Sequence, residues 1–216
     1  EPCTHYGKTP PCTSLIIKSK IKKVLYSIND VDKRTVNKAY PLLRLKEIIV
    51  SKGLLRSEAK KIYRNYFHHK NTKKPFVAAK IACSNDYFIS SKNKFITNQH
   101  SRDVSHILRY NFDSILVSSK TANSDNPKLS CRINGLKNYS PKRLIIDKYL
   151  KIKKKTHVVN DKNKKNTIIF SSSKNKKKIR YFKLRGIKLC YSDLDLNNNI
   201  DLNKVFLKAY SMGIGS

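Results

Sequence analysis

The sequence is short of acidic residues, short of arginine and without long apolar runs, and each shortage excludes something. No stretch approaches the roughly 20 apolar residues that a membrane span requires, and no charged-then-apolar leader opens the chain. The expectation is a soluble, cytoplasmic protein with no membrane partner. Asp and Glu number 14 against 47 Lys and Arg, giving a formal net charge of +33. Such an excess ordinarily points to phosphate backbones. Yet only 10 of the basic residues are Arg while 37 are Lys, beside 20 Asn and 22 Ile. Arg is the residue whose planar fork grips phosphate in two places, whereas Lys, Asn and Ile are what AT-rich codons encode. A compositional origin is therefore preferred to a nucleic-acid partner. The five cysteines are an odd, scattered set and make no disulfide framework. Cys83, Cys131 and Cys190 read as small buried apolar residues in a reducing compartment.

What is present suffices for a core: 216 residues, 39% of them apolar, allow one large domain or two small ones. Apolar spacing after Pro10-Pro11-Cys12 predicts a short helix over 13–20, a strand at 21–28, a helical stretch near 42–46 and a strand at 48–50. From Gly53 to about Lys74 runs a basic helix carrying Leu54, Leu55, Ala59, Ile62, Tyr63, Tyr66 and Phe67. Its end, His68 to Lys74, is a linker by composition. The adjacent His68 and His69 point to different sides of a helix, which disfavours a metal site there. Past Pro75, strands are expected at 76–83, 95–97, 114–118, 144–147, 167–170 and 187–191, with helices at 99–109 and 202–212. Strands alternating with helices indicate a mostly parallel α/β sheet. The lysine runs within 148–188 read as solvated loops between strands, and no internal repeat is visible. An opening without Met inside a motif, and a close straight after an amphipathic helix, lead us to expect a piece of a longer protein.

The first twelve residues hold Cys3 and Cys12, each preceded by proline and separated by eight residues. Two cysteines at a helix start are half of a zinc-deaminase centre, because a helix N-terminus helps stabilise thiolate. Hydrolytic deamination of an aminopyrimidine needs a hydroxide at neutral pH and a proton shuttle. Zinc deaminases draw these from one His, two Cys and a Glu near the His. Cys3 and Cys12 supply the thiolates, and the His-x-Glu half is expected upstream, leaving no proton-shuttle residue within the chain. His5 lies in the loop between the cysteines and is not taken as the third ligand.

The run Glu-Pro-Cys-Thr-His-Tyr-Gly-Lys-Thr-Pro-Pro-Cys closely resembles the signature of the bifunctional riboflavin-biosynthesis deaminase/reductase family, whose cysteines are likewise eight residues apart. Deaminases of nucleic acids and nucleosides typically carry a shorter Cys-x-x-Cys. The likeness implies substrate contacts from His5 and Lys8, and from Asp30 and Asp32 after the next strand, for which an ordinary turn is the alternative. It continues downstream. Pro75 to Asp86 is similar to the family's opening reductase strand, with Asn85 and Tyr87 in place of Leu and Gly. Lys94-Phe95-Ile96-Thr97 is similar to a Lys-Trp-Ile-Thr element, in a chain without tryptophan. Arg102-Asp103-Val104 and Leu108-Arg109 resemble the following helix, and Thr121 with Asp125 to Arg132 resembles Thr…Asp-Asp-Pro-x-Leu-Thr-x-Arg. By position, the resemblance gives Ala82, Phe95, Thr121 and Asp125 to the cofactor, and Asn93, Arg109, Leu129 and Arg132 to the substrate. Two arginines suit a phosphate gripped bidentately.

The resemblance thus implies an α/β architecture: the C-terminal part of a cytidine-deaminase-like domain at 1–52, a linker helix at 53–74, and a dihydrofolate-reductase-like domain at 75–216. It implies zinc (Zn2+) and NADPH as cofactors and a phosphorylated ribosylaminopyrimidine as the small-molecule partner, with no nucleic acid; a homo-oligomer is left open. The implied chemistry is zinc-dependent deamination followed by hydride transfer that opens ribose to ribityl. A Glu-Gly-Gly segment is expected beyond Ser216. Two alternatives stand beside this reading: a basic nucleic-acid-binding protein, and a stand-alone reductase carrying a deaminase remnant.

Overall fold

The structure, a computed structural model, describes residues 1–89 and 96–216. It divides into two compact units, Glu1–Phe76 and Val77–Ser216. The first holds α1 (Cys12–Lys18), β1 (Lys23–Tyr26), α2 (Ala39–Arg44), β2 (Ile49–Lys52), α3 (Arg56–Ile62) and α4 (Arg64–Thr72). Pro11 caps α1 with a φ of −57°, a value its ring fixes in advance. Strands β1 and β2 pair in parallel, Lys23 opposite Ile49. Tyr26, Leu43, Ile48 and Val50 form the small core beneath them, with Ile16, Ile17 and Val24 packed on it.

The segment read as one linker helix is two, meeting at Tyr63. The second continues through His68 and His69, which composition had given to a solvated linker. Aromatic contacts at helical spacing explain the difference, since they give this stretch a packed face. Tyr63 meets Phe67 at 6.3 Å, Tyr66 meets His69 edge-on at 5.4 Å, and His68 meets Phe76 edge-on at 5.8 Å between ring centroids.

The second unit holds α5 (Gln99–Asn111), β3 (Ser114–Ser118), α6 (Ser119–Asp125), β4 (Lys142–Ile146), α7 (His157–Asn160), β5 (Thr167–Ser171), α8 (Lys176–Leu184), β6 (Lys188–Tyr191) and α9 (Leu202–Ser211). The four strands form one parallel sheet in the order β3-β4-β5-β6. Alternation of side chains sends Leu144, Ile168 and Phe170 to one face, against Cys190, Val205 and Ala209. Ile145 and Ile169 go to the other, against Ala122, Val158, Val159, Phe182 and Ile187. Covered on both faces, the central strands read as continuous apolar runs rather than as alternating ones.

Three expectations change. The segment 76–83, foreseen as a strand, joins no sheet among the described residues, and Val77 and Ile81 are 57% and 74% exposed. A ladder needs a neighbouring edge to take its N–H and C=O groups, and none of the described strands offers one to it. Cys83 accordingly lies exposed in this segment, whereas Cys131 and Cys190 are buried as foreseen. The lysine run at 176–178 is the first turn of helix α8 instead of a loop. The Asn175 side chain accepts the Lys178 N–H at 3.0 Å as an N-cap. Ile179 and Phe182, three apart, anchor that helix to the core, so the lysines occupy its outer face. The strand expected at 95–97 begins outside the described residues.

Candidate functional site

In the first unit, the chain entering α1 folds back so that the Cys12 N–H donates to Cys3 Sγ at 3.1 Å. The Thr13 N–H and hydroxyl both meet the Cys3 carbonyl, at 3.2 and 3.1 Å, which fixes that return. The Cys12 amide holds the Cys3 thiol below its usual range, while the hydrogen bond between the two thiols pushes Cys12 up. The sulfurs foreseen as a pair are therefore neighbours. No group of three or more His, Cys, Asp and Glu able to hold a metal is found among the described residues.

Around this pair the acidic residues are already engaged. Asp30 Oδ1 accepts the Asp32 N–H at 3.0 Å and the Tyr66 hydroxyl at 2.9 Å. Burial and that contact push Tyr66 up to about 12. Asp32 receives Arg34 Nε and Nη2 at 2.9 and 2.7 Å and Lys70 Nζ at 3.2 Å. These partners, Arg34 foremost, hold its carboxyl well below the usual carboxylate range. His5 Nδ1 lies 3.1 Å from the Thr35 hydroxyl, and with Thr4, Arg34, Lys38 and Leu42 it lines an open pocket of about 470 Å³. Lys8 is exposed in the same loop and does not line that pocket. Sequence reasoning missed Glu1, whose carboxylate accepts the backbone N–H groups of Asp30, Asn37 and Ala39 at 3.0, 3.2 and 3.1 Å. Only its place beside Pro2-Cys3 signalled a role.

In the second unit, Arg109 and Arg132 come together as foreseen, on α5 and on the loop leading to β4. Both reach the same buried side chain, His106, which the sequence reading did not single out. Arg109 Nη1 lies 3.2 Å from His106 Nδ1, and Arg132 Nε lies 3.2 Å from Nε2. Arg109 also donates to the Ser130 carbonyl at 3.3 Å. Among the described residues no carboxylate pairs with either guanidinium. Burial, with the neighbouring Arg132, presses Arg109 below its ordinary value, and burial with both arginines does the same to His106. His106 and Arg132 line a pocket of about 340 Å³ with Gln99, Arg102, Asp103 and Ile133, and the charges in that lining, two arginines to one aspartate, suit an anion. The signal available in the sequence was a histidine one helical turn before Arg109.

The remaining described candidates lie on α6, in the loop after it and in the segment before α5. Thr121 opens α6, its N–H and hydroxyl each 3.1 Å from Ser118 Oγ. Asp125 closes that helix, exposed, and accepts from Ser124 at 2.6 Å. Leu129 is 5% exposed within the core and has a φ of +53°, so only its backbone faces outward chemistry. Ala82 lies half-buried in the segment before α5. Asn93 and Phe95 lie outside the described residues.

A parallel sheet with helices on both faces, over residues that match a reductase-domain family, makes the second unit a dihydrofolate-reductase-like reductase domain. Residues 75–216 match the family model described as RibD C-terminal domain. The chain belongs to the RibD family of riboflavin-biosynthesis proteins. Riboflavin biosynthesis protein RibD of Bacillus amyloliquefaciens is 36% identical over 74% of this chain and 44% of its own length. That of Actinobacillus pleuropneumoniae is 31% identical over 100% of this chain and 57% of its own. The solved diaminohydroxyphosphoribosylaminopyrimidine deaminase/5-amino-6-(5-phosphoribosylamino)uracil reductase of Thermotoga maritima superposes with a TM-score of 0.84 at 30% identity, covering 100% of this chain and 58% of that one. The chain spans about half the length of the curated relatives it matches.

Proposed function

We propose that the second unit reduces the ribosyl group of a phosphorylated aminopyrimidine with NADPH. The observation that carries this is the pair Arg109 and Arg132, without carboxylate partners, beside an open pocket in a RibD-type reductase domain. The two guanidiniums receive the substrate phosphate, with Asn93 and the Leu129 backbone as further contacts. Ala82, Phe95, Thr121 and Asp125 hold the cofactor. At the carboxyl ends of β5 and β6, Ser192 Oγ is buried without a hydrogen-bond partner among the described residues, its backbone N–H is tied to the Ser171 carbonyl at 3.0 Å, and the lysines of the first turn of α8 lie beyond β5, a setting that suits a multiply charged dinucleotide. Bound NADPH would supply a hydride to the sugar C1 as the bond from C1 to the ring oxygen breaks and that oxygen takes a proton from water, leaving a ribityl chain. The chain's own part is placement: fixing the phosphate fixes the distance from C1 to the cofactor. Mixing the protein with the phosphorylated ribosylaminopyrimidine and NADPH tests this. Substrate-dependent loss of reduced-nicotinamide absorbance is expected, and its absence at saturating concentrations would overturn the reading.

A second reading adds deamination in the first unit, favoured by the contact between Cys3 and Cys12. These cysteines would hold two positions of a zinc ion, with His5, Lys8, Asp30 and Asp32 meeting the substrate. The two thiols fit half of such a centre, and no step is assigned to this chain. Zinc content of protein made from the intact reading frame checks it. About one zinc per chain, lost on Cys3→Ser, is expected; unchanged zinc in that variant removes the reading.

A further inference from the structure

We propose that the lysine-rich face formed by the loop after β4 and by α8 binds single-stranded RNA, an activity separate from the reduction. Residues 148–188 carry 14 Lys and 2 Arg against one acid, Asp161. That segment is less than a fifth of the chain and holds a third of its basic residues. Codon bias acts on the whole chain alike, so it leaves this concentration unexplained. The charge is not neutralised locally either. Asp161 is spent on Arg143 at 2.7 Å, and none of the 14 lysines forms an ion pair among the described residues. Asp147, just before the segment, is 2% exposed, and its carboxylate accepts the Lys151 and Ile152 N–H groups at 2.8 and 2.7 Å.

Two contacts join the loop and the helix into one surface. Lys178 Nζ donates to the Tyr149 carbonyl at 3.2 Å, and Lys154 Nζ lies 4.4 Å from the centre of the Tyr181 ring. The surface carries a local cost. Lys176, Lys177 and Lys178 fill the first turn of α8, at the positive end of its dipole, with no acid among them. Lys176 and Arg180, four apart on the same helix, repel each other as well. An anion with regularly spaced charges turns that cost into attraction.

Tyr149 decides which anion. Its ring is 51% exposed, with Lys148 Nζ and Lys151 Nζ 4.8 and 5.5 Å from its centre. An aromatic face rimmed by ammonium groups lets an unpaired base stack while the neighbouring phosphates meet charge. A lipid surface would call for apolar side chains to insert, and of the segment's described large apolar side chains only Tyr149 and Leu184 are exposed.

The test is fluorescence anisotropy of a labelled oligouridylate against protein made from the intact reading frame, over a range of salt. Two quadruple variants change net charge equally, all at exposed positions. One carries Lys153→Gln, Lys154→Gln, Lys155→Gln and Lys183→Gln on the face, the other Lys18→Gln, Lys20→Gln, Lys22→Gln and Lys23→Gln in the first unit. The face variant is expected to weaken binding about tenfold or more, and to lower the slope of log affinity against log salt by about 0.7 per lost phosphate contact. The control variant is expected to keep both. Tyr149→Leu is expected to cost about tenfold on oligouridylate, the scale of one lost stack, and nothing on inorganic polyphosphate, which has no bases. No binding by wild type, equal losses in the two quadruple variants, or indifference to Tyr149→Leu would overturn the inference. So would binding to phosphatidylserine vesicles in place of the oligouridylate. Affinity for NADPH is expected to be unchanged in the face variant; its loss there with RNA binding intact would assign these lysines to the cofactor instead.

Discussion

Arg143 and Asp161 meet through two parallel contacts, Nη1 to Oδ2 at 2.7 Å and Nη2 to Oδ1 at 2.9 Å, with the arginine side chain 3% exposed. The pair anchors the start of β4 to the turn after α7. Asp161→Ala leaves a buried guanidinium without its counter-charge, and we expect a loss of about 3–5 kcal/mol in urea unfolding. Replacing both residues with apolar side chains of similar volume is expected to recover most of that. A single variant within 0.5 kcal/mol of wild type, roughly the noise of a surface change, would show that the pair is idle.

The Cys12 amide pointing at Cys3 Sγ makes a chemical prediction. The dithiol is expected to lose its first proton below the ordinary thiol range, since the amide stabilises that thiolate, and the second above it. Mass-resolved alkylation across pH follows this directly. Cys3 should react ahead of the exposed Cys83 at neutral pH; the reverse order means that the amide does not reach the sulfur.

His106 couples folding to pH. Its folded-state value lies below the ordinary 6.5, so between the two the unfolded chain binds more protons and stability rises with pH. Stability is therefore expected to fall as the solution is acidified from about that ordinary value through the folded one. Thermal midpoints of wild type and His106→Gln, recorded over that window, should converge on the acid side. Parallel curves would assign the acid sensitivity to another group.

Much of the second unit was legible in the sequence because its strands are apolar runs punctuated by polar turns, and 114–118 falls on β3 as Ser114–Ser118. Helix α8 was hidden because three consecutive lysines mask an apolar pair, Ile179 and Phe182, that only the packed sheet makes visible. The strand at 76–83 failed for the opposite reason: its composition suits a strand, but pairing depends on a neighbour that no local pattern encodes. At the sites, Cys3 and Cys12 could be singled out from their spacing, and Arg109 and Arg132 from the family resemblance. His106 and Glu1 could not, since their importance lies in contacts 26 and 29 to 38 residues away along the chain.

The account stands or falls on the arginine pair acting through the substrate phosphate. The most direct measurement is kcat/KM for NADPH-dependent reduction of the phosphorylated ribosylaminopyrimidine and of its dephosphorylated form, in wild type and in Arg132→Ala. Loss of one charge-assisted contact is expected to cost about tenfold or more with the phosphorylated substrate, and close to nothing with the other. An equal loss on both substrates, or none on either, would contradict it.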